Sequence, residues 1–546
     1  MLKAQIPKCL IVIFAYALFL LFAMMQLKLD FSRSNFCAGD IIQLFSLPTW
    51  IYLMFLPVGI LLIHKFTRAQ LSWVIPFTLV SILFAVFPWI QYPSIFGWDS
   101  FRHGIIAKYI TNQGYFPSNT IYQYPGAFVL LAVVSQILGL PILETSMLLA
   151  SFVFLLVVCL FLVIGIIFVG RKSSWLVPTI YFAFCFQLYA SYQYSPQLVG
   201  LAIYLIFVYA IVEKSFSTSA RVWLFLLFIL LATLTATHIF SAIYAVATLL
   251  GLYAGGNVQR LKNRNKQVIT SALFLVGVLL LFSWHSFVAS EIFDEATSYL
   301  SLILKGKKIP VHEILARPLH EAFTLPLTFY RYGIYSLFGF LSAIGLILSW
   351  HKLKGKLVRL LTLGTIVGGM LIYLSPAASY AIARFLIFGG IMVSILSSYA
   401  ITRKHIRIIT INKALRVLGI IVPFLVVGTF VASNLYYSTY TLFIHPDEIS
   451  AATFTVKKVN TSITMVIDEA LVFQFIAEQP NLIHIIDDRM PFDVAKTELE
   501  AAYVSLQYLP RQQYYYGFDF VECNHSLIYS NGLNRVYMAP HSINVP

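Results

Sequence analysis

The chain has 546 residues, 59% hydrophobic and only 11% charged, with a mean hydropathy of +0.82 and a formal net charge of +15. Soluble domains carry about 25% charged residues, so this composition excludes a soluble globular protein and leaves room for a dozen or more membrane helices of about 20 residues. The five cysteines make no metal-binding spacing. Cys9, Cys159 and Cys185 fall in apolar runs, and Cys37 and Cys523 are the two that a disulfide could join on one side of a membrane.

In chain order, apolar stretches of spanning length occur near 9–27, 46–63, 71–90, 145–169, 174–190, 197–212, 221–237, 239–254, 268–288, 328–350, 360–375, 385–400 and 417–432. The run after Lys8 is long enough to span and lacks a small-residue cleavage site, so it reads as a first span and not as a leader. Basic clusters around Lys65, Arg171, Arg260–Lys266, Lys352–Arg359 and Arg403–Arg416 alternate with this pattern. Placing them in the cytoplasm puts 21 of the 37 basic residues inside with one acid, Glu213, and divides the net charge into +20 inside and −5 outside. The basicity is therefore expected to reflect membrane orientation, with no nucleic-acid partner implied. The apolar run Ala127–Leu140, broken by Gly139 and Pro141, is too short to cross and is expected in the outer interface.

The expected fold is a polytopic all-α membrane protein of about 13 transmembrane helices. Its N-terminus is expected in the cytoplasm, and residues 1–433 form the membrane domain, with an outer loop at 91–144. Residues 434–546 are expected to form a small extracytoplasmic α/β or α+β domain. There, Thr464–Ile467 and Leu482–Ile486 read as strands, Asp493–Leu506 as a helix, and Ser526–Met538 as a hairpin turning at Asn531-Gly532. Asn460-Thr461-Ser462 and Asn524-His525-Ser526 are glycosylation sequons on the side where glycans are added. Asp487-Asp488-Arg489 and Lys305-Gly306-Lys307-Lys308 read as solvated loops.

The chemistry is concentrated in Gly97-Trp98-Asp99-Ser100-Phe101-Arg102-His103-Gly104. On a helix, Asp99, Arg102 and His103 lie at i, i+3 and i+4 on one face, an acid with two cationic neighbours where lipid gives way to water. By itself Asp99 could equally be a helix-capping acid. After an aliphatic stretch come the turn Gly114-Tyr115-Phe116-Pro117 and the segment Tyr124-Pro125-Gly126 that opens the interfacial helix. This order resembles the first outer loop of the GT-C glycosyltransferases, a superfamily that includes protein O-mannosyltransferases, lipid A aminoarabinose transferases and archaeal membrane enzymes.

The resemblance implies an inverting hexosyltransferase of mannosyltransferase-like type. Its donor would be a sugar on a polyprenyl (dolichyl-type) phosphate, and its acceptor a hydroxyl on a glycan, protein or lipid, with membrane lipids as surroundings. It implies Asp99 as general base, with Arg102, His103, Tyr124, Gln197, His238, Arg331 and Arg384 as candidates for the donor phosphate and substrate. Glu144 is a possible second acid. Arg331 and Arg384 also read as interfacial arginines, His238 as an interfacial histidine, and Glu144 as a helix cap. No metal ligands are assigned, and no cofactor beyond a divalent metal that varies within the superfamily. The chain departs from the superfamily pattern at Ser100, where many relatives have a second acid, and at Ser195-Pro196-Gln197, where many have Pro-Asp. A different lipid-linked glycan enzyme, of polymerase or oligosaccharyltransferase type, is the nearest alternative. A transporter is the competing class, disfavoured because the spans are almost free of charge.

Overall fold

A computed structural model describes residues 98–116, 124–171, 173–185, 194–216, 221–258, 264–289, 325–349, 353–373 and 378–402, together with pieces of 417–429, residue 453 and five strands between 465 and 538. The expected spans at 9–27, 46–63 and 71–90, the sequon asparagines Asn460 and Asn524, Asp487–Arg489, Lys305–Lys308 and the Cys37–Cys523 pair lie outside the described residues.

The helices are α1 (Trp98–Gln113), α2 (Gly126–Leu138), α3 (Ile142–Phe168), α4 (Leu176–Phe184), α5 (Pro196–Phe216), α6 (Arg221–Thr237), α7 (Ile239–Val258), α8 (Arg264–Phe287), α9 (Leu325–Ser349), α10 (Leu353–Tyr373) and α11 (Ala378–Thr402). Ile142–Phe168, Pro196–Glu213, Phe329–Ser349 and Phe385–Thr402 are long and apolar enough to cross a bilayer. Large apolar side chains such as Phe225, Phe282 and Phe340 are exposed on the bundle, the surface expected of a protein whose solvent is lipid. The chain is a membrane protein. The expected span at 174–190 is described only as the short α4, which stops at Phe184. The Ala183 carbonyl in its last turn is met by the Thr429 hydroxyl at 2.7 Å.

α2 is 13 residues long, about 20 Å, and too short to cross a hydrocarbon core of about 30 Å. It buries Ala127, Phe128, Leu131, Ala132 and Ser135, while Val129, Val133 and Ile137 are exposed. Gly139 ends it at φ 64°, a left-handed position suited to glycine, and Pro141 follows. The chain then turns directly into α3.

Small residues set the helix directions. On α5 and α7, Gly200 lies beside His238 and Ser241, and the Tyr204 hydroxyl meets Thr248 Oγ1 at 2.9 Å, so these helices run parallel. On α7 and α10 the order reverses, with Gly251 against the Leu360 carbonyl, Gly364 against Thr248, and Gly368 against Tyr244. Without side chains at these crossings the backbones approach closely, which is how helices gain dispersion contact in a bilayer. Gly277 of α8 faces Leu231 of α6 and Val246 of α7. The short connections at 350–352 and 374–377 make α9, α10 and α11 alternate in direction.

One end of the bundle therefore gathers the start of α2, the start of α5, the reversal at His238, the end of α8, the start of α9, the end of α10 and the start of α11. The opposite end carries Arg171, Lys214, Arg221, Arg264, Lys266, Lys354, Lys356 and Arg359. That segregation matches the alternation of basic clusters along the sequence.

The strands are β1 (Met465–Ile467), β2 (Ile483–His484), β3 (Tyr503–Gln507), β4 (Ser526–Ser530) and β5 (Asn534–Met538), in one sheet of order β2-β1-β3-β5-β4. β1 is parallel to β2 and β3, and β5 is antiparallel to β3 and β4. The β4–β5 hairpin is the one expected around Asn531-Gly532. The helix expected over Asp493–Leu506 is corrected at its end, because residues 503–507 are strand β3, held between β1 and β5. Pairing on both edges of Tyr503-Val504-Ser505-Leu506-Gln507 overrides the helix-favouring Ala/Glu/Leu composition upstream.

Candidate active site at one end of the helix bundle

The helix α1 begins at Trp98, so Asp99, Arg102 and His103 share one face at i, i+3 and i+4. The side chains of Asp99 and Arg102 lie outside the described residues. His103 is buried, and its Nδ1–H donates to the Tyr194 carbonyl at 3.1 Å. A carbonyl can only accept, so this contact commits one ring nitrogen of His103 to the fold. Its ring lies 5.5 Å from that of Phe128 on α2. Tyr194 is fully buried and its hydroxyl donates to the Ala127 carbonyl at 2.7 Å. Gly114 closes α1 at φ 77°, and its N–H reaches the Ile110 carbonyl at 2.9 Å, forming the start of the expected turn.

Tyr124 stands just ahead of α2 and is buried. Its hydroxyl meets His285 Nε2 at 2.8 Å, while His285 Nδ1 lies 2.6 Å from the Leu281 carbonyl. The carbonyl fixes the proton on Nδ1, so Nε2 is an acceptor and Tyr124 donates to it. Burial pushes the Tyr124 hydroxyl well above its ordinary range and keeps it neutral, as a donor must be. Tyr124 thus ties the loop before α2 to the end of α8. Tyr124→Phe should leave Nε2 buried and unpaired and destabilise the protein by about 1–3 kcal/mol. Thermal unfolding in detergent measures this, and Tyr124→Phe combined with His285→Phe should recover part of the loss.

His238 sits at the one-residue reversal between α6 and α7. Its Nδ1 accepts from the Ser241 N–H at 3.3 Å and lies 2.9 Å from Ser241 Oγ, so the imidazole caps α7. With Nδ1 as acceptor, a neutral His238 carries its proton on Nε2. The ring stacks 6.4 Å from Phe388 of α11. A Cβ on Gly126 would lie 2.5 Å from Thr237 Oγ1, so the start of α2 is pressed against this reversal. Ser195 is buried and its hydroxyl accepts from the Leu198 N–H at 3.2 Å, capping α5 directly beside the half-buried Gln197. Ser195→Ala should cost about 1 kcal/mol of stability by thermal unfolding.

Arg331 and Arg384 both lie in the second turn of their helices, α9 and α11, at the same end of the bundle. Arg331 Nε donates to the Tyr335 hydroxyl at 3.0 Å, and its guanidinium carbon lies 5.5 Å from the ring centroid. Arg384 is described by its backbone, one turn from Phe388, the residue stacked on His238. Glu144 is exposed in the first turn of α3, with no side-chain cap there. Among the described residues, no three His, Cys, Asp or Glu side chains gather as metal ligands.

The structure thus brings His103, Tyr124, Gln197 and His238, with the backbones of Asp99, Arg102 and Arg384, to one end of the bundle. Arg331 reaches the same end on α9, and Glu144 is exposed at the start of α3. The sequence reading gave no role to His285 or to Tyr194. His285 is the lone ionisable side chain in Ser283-Trp284-His285-Ser286 at the end of α8, and that isolation was the available signal.

No family model matches the chain, and no curated protein does. Solved structures do. The ArnT of Cupriavidus metallidurans bound to undecaprenyl phosphate is similar over 88% of this chain and 100% of its own, with a TM-score of 0.52 at 12% identity. The oligosaccharyltransferase of Archaeoglobus fulgidus tethered to an acceptor peptide is similar over 81% of this chain and 69% of its own, with a TM-score of 0.52 at 12% identity. The archaeal oligosaccharyltransferase AglB of the same organism, in complex with an inhibitory peptide and a dolichol-phosphate, is similar over 87% and 75%, with a TM-score of 0.52 at 11% identity. At these identities the likeness is one of fold, which the chain shares with these membrane proteins.

Proposed function

We propose that the protein is a glycosyltransferase of the extracytoplasmic membrane face, moving one sugar from a polyprenyl or dolichyl phosphate to an acceptor hydroxyl. The observation that carries this reading is the convergence, on a GT-C fold, of α1 with the starts of α2, α5, α9 and α11 and with the His238 reversal at one end of the bundle. A lipid-borne donor needs its phosphate at that end and its tail among the helices. The undecaprenyl phosphate bound by ArnT and the dolichol-phosphate bound by AglB are donor-type lipids of this class.

In this mechanism Asp99 takes the proton of the acceptor hydroxyl as its oxygen attacks the anomeric carbon. The anomeric C–O bond to phosphate breaks, and the polyprenyl phosphate leaves with the electron pair. A single in-line displacement inverts the anomeric configuration. Developing phosphate charge is met by cations already in place, for which Arg102, Arg384 and Arg331 are the candidates, with His238 Nε2–H as a neutral donor. We assign residues 1–433 to the membrane domain and 434–546 to an outward domain. The segregated charge supports this orientation.

The test is transfer by purified protein in liposomes supplied with radiolabelled polyprenyl-phosphate sugars. Labelled product of inverted configuration is expected. A panel of such donors that yields none, while a solute crosses the same liposomes, would replace the enzyme reading with a transporter.

A further inference from the structure

We infer that His103 and Tyr194 form a clamp that positions Asp99, His103 acting through Tyr194 and not as a ligand of the donor phosphate. The inference rests on the reading of Asp99 as the base, and it names how that base is held. His103 follows Asp99 by one turn on α1, so a fixed imidazole fixes the orientation of the face that carries the carboxylate. Three contacts fix it. Nδ1–H donates to the Tyr194 carbonyl, the ring packs on Phe128, and the Tyr194 hydroxyl donates to the Ala127 carbonyl at the start of α2. α1, α2 and the lead into α5 are locked to one another through a single buried tyrosine. Both linked side chains are removed from solvent, His103 being 6% exposed and Tyr194 0%. Each bond is made to a backbone carbonyl, which holds position more firmly than a mobile side chain would. A general base gains its effect from being held within hydrogen-bond reach of its proton, so loosening this clamp acts on the chemical step.

The geometry separates two kinds of replacement. The amide nitrogen of Asn takes the place of Nδ1, whereas that of Gln reaches toward Nε2. His103→Asn is expected to keep kcat within about threefold of the parent, while His103→Gln and His103→Ala lower it about tenfold or more with the KM for the lipid donor unchanged. Tyr194→Phe is expected to lower kcat in the same direction. A second readout is independent of turnover: backbone amide exchange over 98–113 should quicken in the Gln and Ala variants and stay slow in the Asn variant. The clamp is overturned if Gln rescues as well as Asn does. It is also overturned if the Asn variant raises the donor KM at constant kcat, which would make His103 a phosphate ligand. If the parent protein transfers no sugar but the exchange pattern holds, the functional reading fails and with it the positioning of a base, while the His103–Tyr194 contact that rigidifies α1 stands.

Discussion

Asp99→Asn is expected to lower sugar transfer by about a hundred- to ten-thousand-fold, the range set by the contribution of a positioned general base. The substitution keeps the size and the hydrogen-bonding shape of the side chain and removes only its ability to take a proton. The helix should persist, because an Asn in the first turn of α1 supports helix initiation nearly as well as an Asp. Binding of the lipid donor should persist as well, since the proposed mechanism gives the phosphate to cations and not to the carboxylate. The measurement is initial rate with a labelled donor beside equilibrium retention of the unlabelled lipid. Transfer at the parental rate would remove Asp99 from the chemistry and return it to a capping role. Loss of donor retention together with rate would show that the acid shapes the lipid site.

Gly364→Ala is the second large effect, and it acts through packing. A Cβ there would lie 2.6 Å from Thr248 Cα and 2.7 Å from the Ala247 carbonyl, both backbone atoms of α7 that no rotamer change can move. α7 and α10 must part, and overpacking of this kind costs about 1–3 kcal/mol. The matched control is Gly339→Ala on α9, where an added Cβ meets nothing within 4 Å. That change should leave stability unaltered or raise it, since alanine favours the helix by up to about 1 kcal/mol over glycine. Both variants are compared by thermal unfolding in one detergent. Equal melting temperatures would mean that the α7–α10 crossing is looser than its glycine contacts imply.

Much of the helical plan was legible because lipid imposes it. An apolar run of spanning length has few alternatives to a helix, and basic loops take sides. The eight described helices from α3 and α5 to α11 overlap the expected spans, α10 and α11 beginning seven residues earlier than expected, and α2 is the short helix expected from Gly139 and Pro141. The misreading at Asp493–Leu506 came where that constraint is absent. In the C-terminal region local composition favoured helix, and only pairing with β1 and β5 makes 503–507 a strand. Likewise α4 ends at Phe184 although hydropathy continues, and the Thr429 bond to Ala183 is a contact that no local pattern contains.

For the site, the sequence by itself determined that Asp99, Arg102 and His103 share one helical face, because a period of 3.6 residues requires it. It also led to the expectation that this face lies on the side opposite the basic loops. It could not decide which histidine does what. Tyr194 reaches His103 across 91 residues and Tyr124 reaches His285 across 161, and such pairings arise only when the helices pack together. Tertiary structure also set the tautomers, because each imidazole nitrogen is assigned by the partner it meets: a carbonyl for His103, a carbonyl and a phenol for His285, and a backbone N–H for His238. A sequence lists titratable groups, and the fold's backbone carbonyls and amides decide where each proton resides.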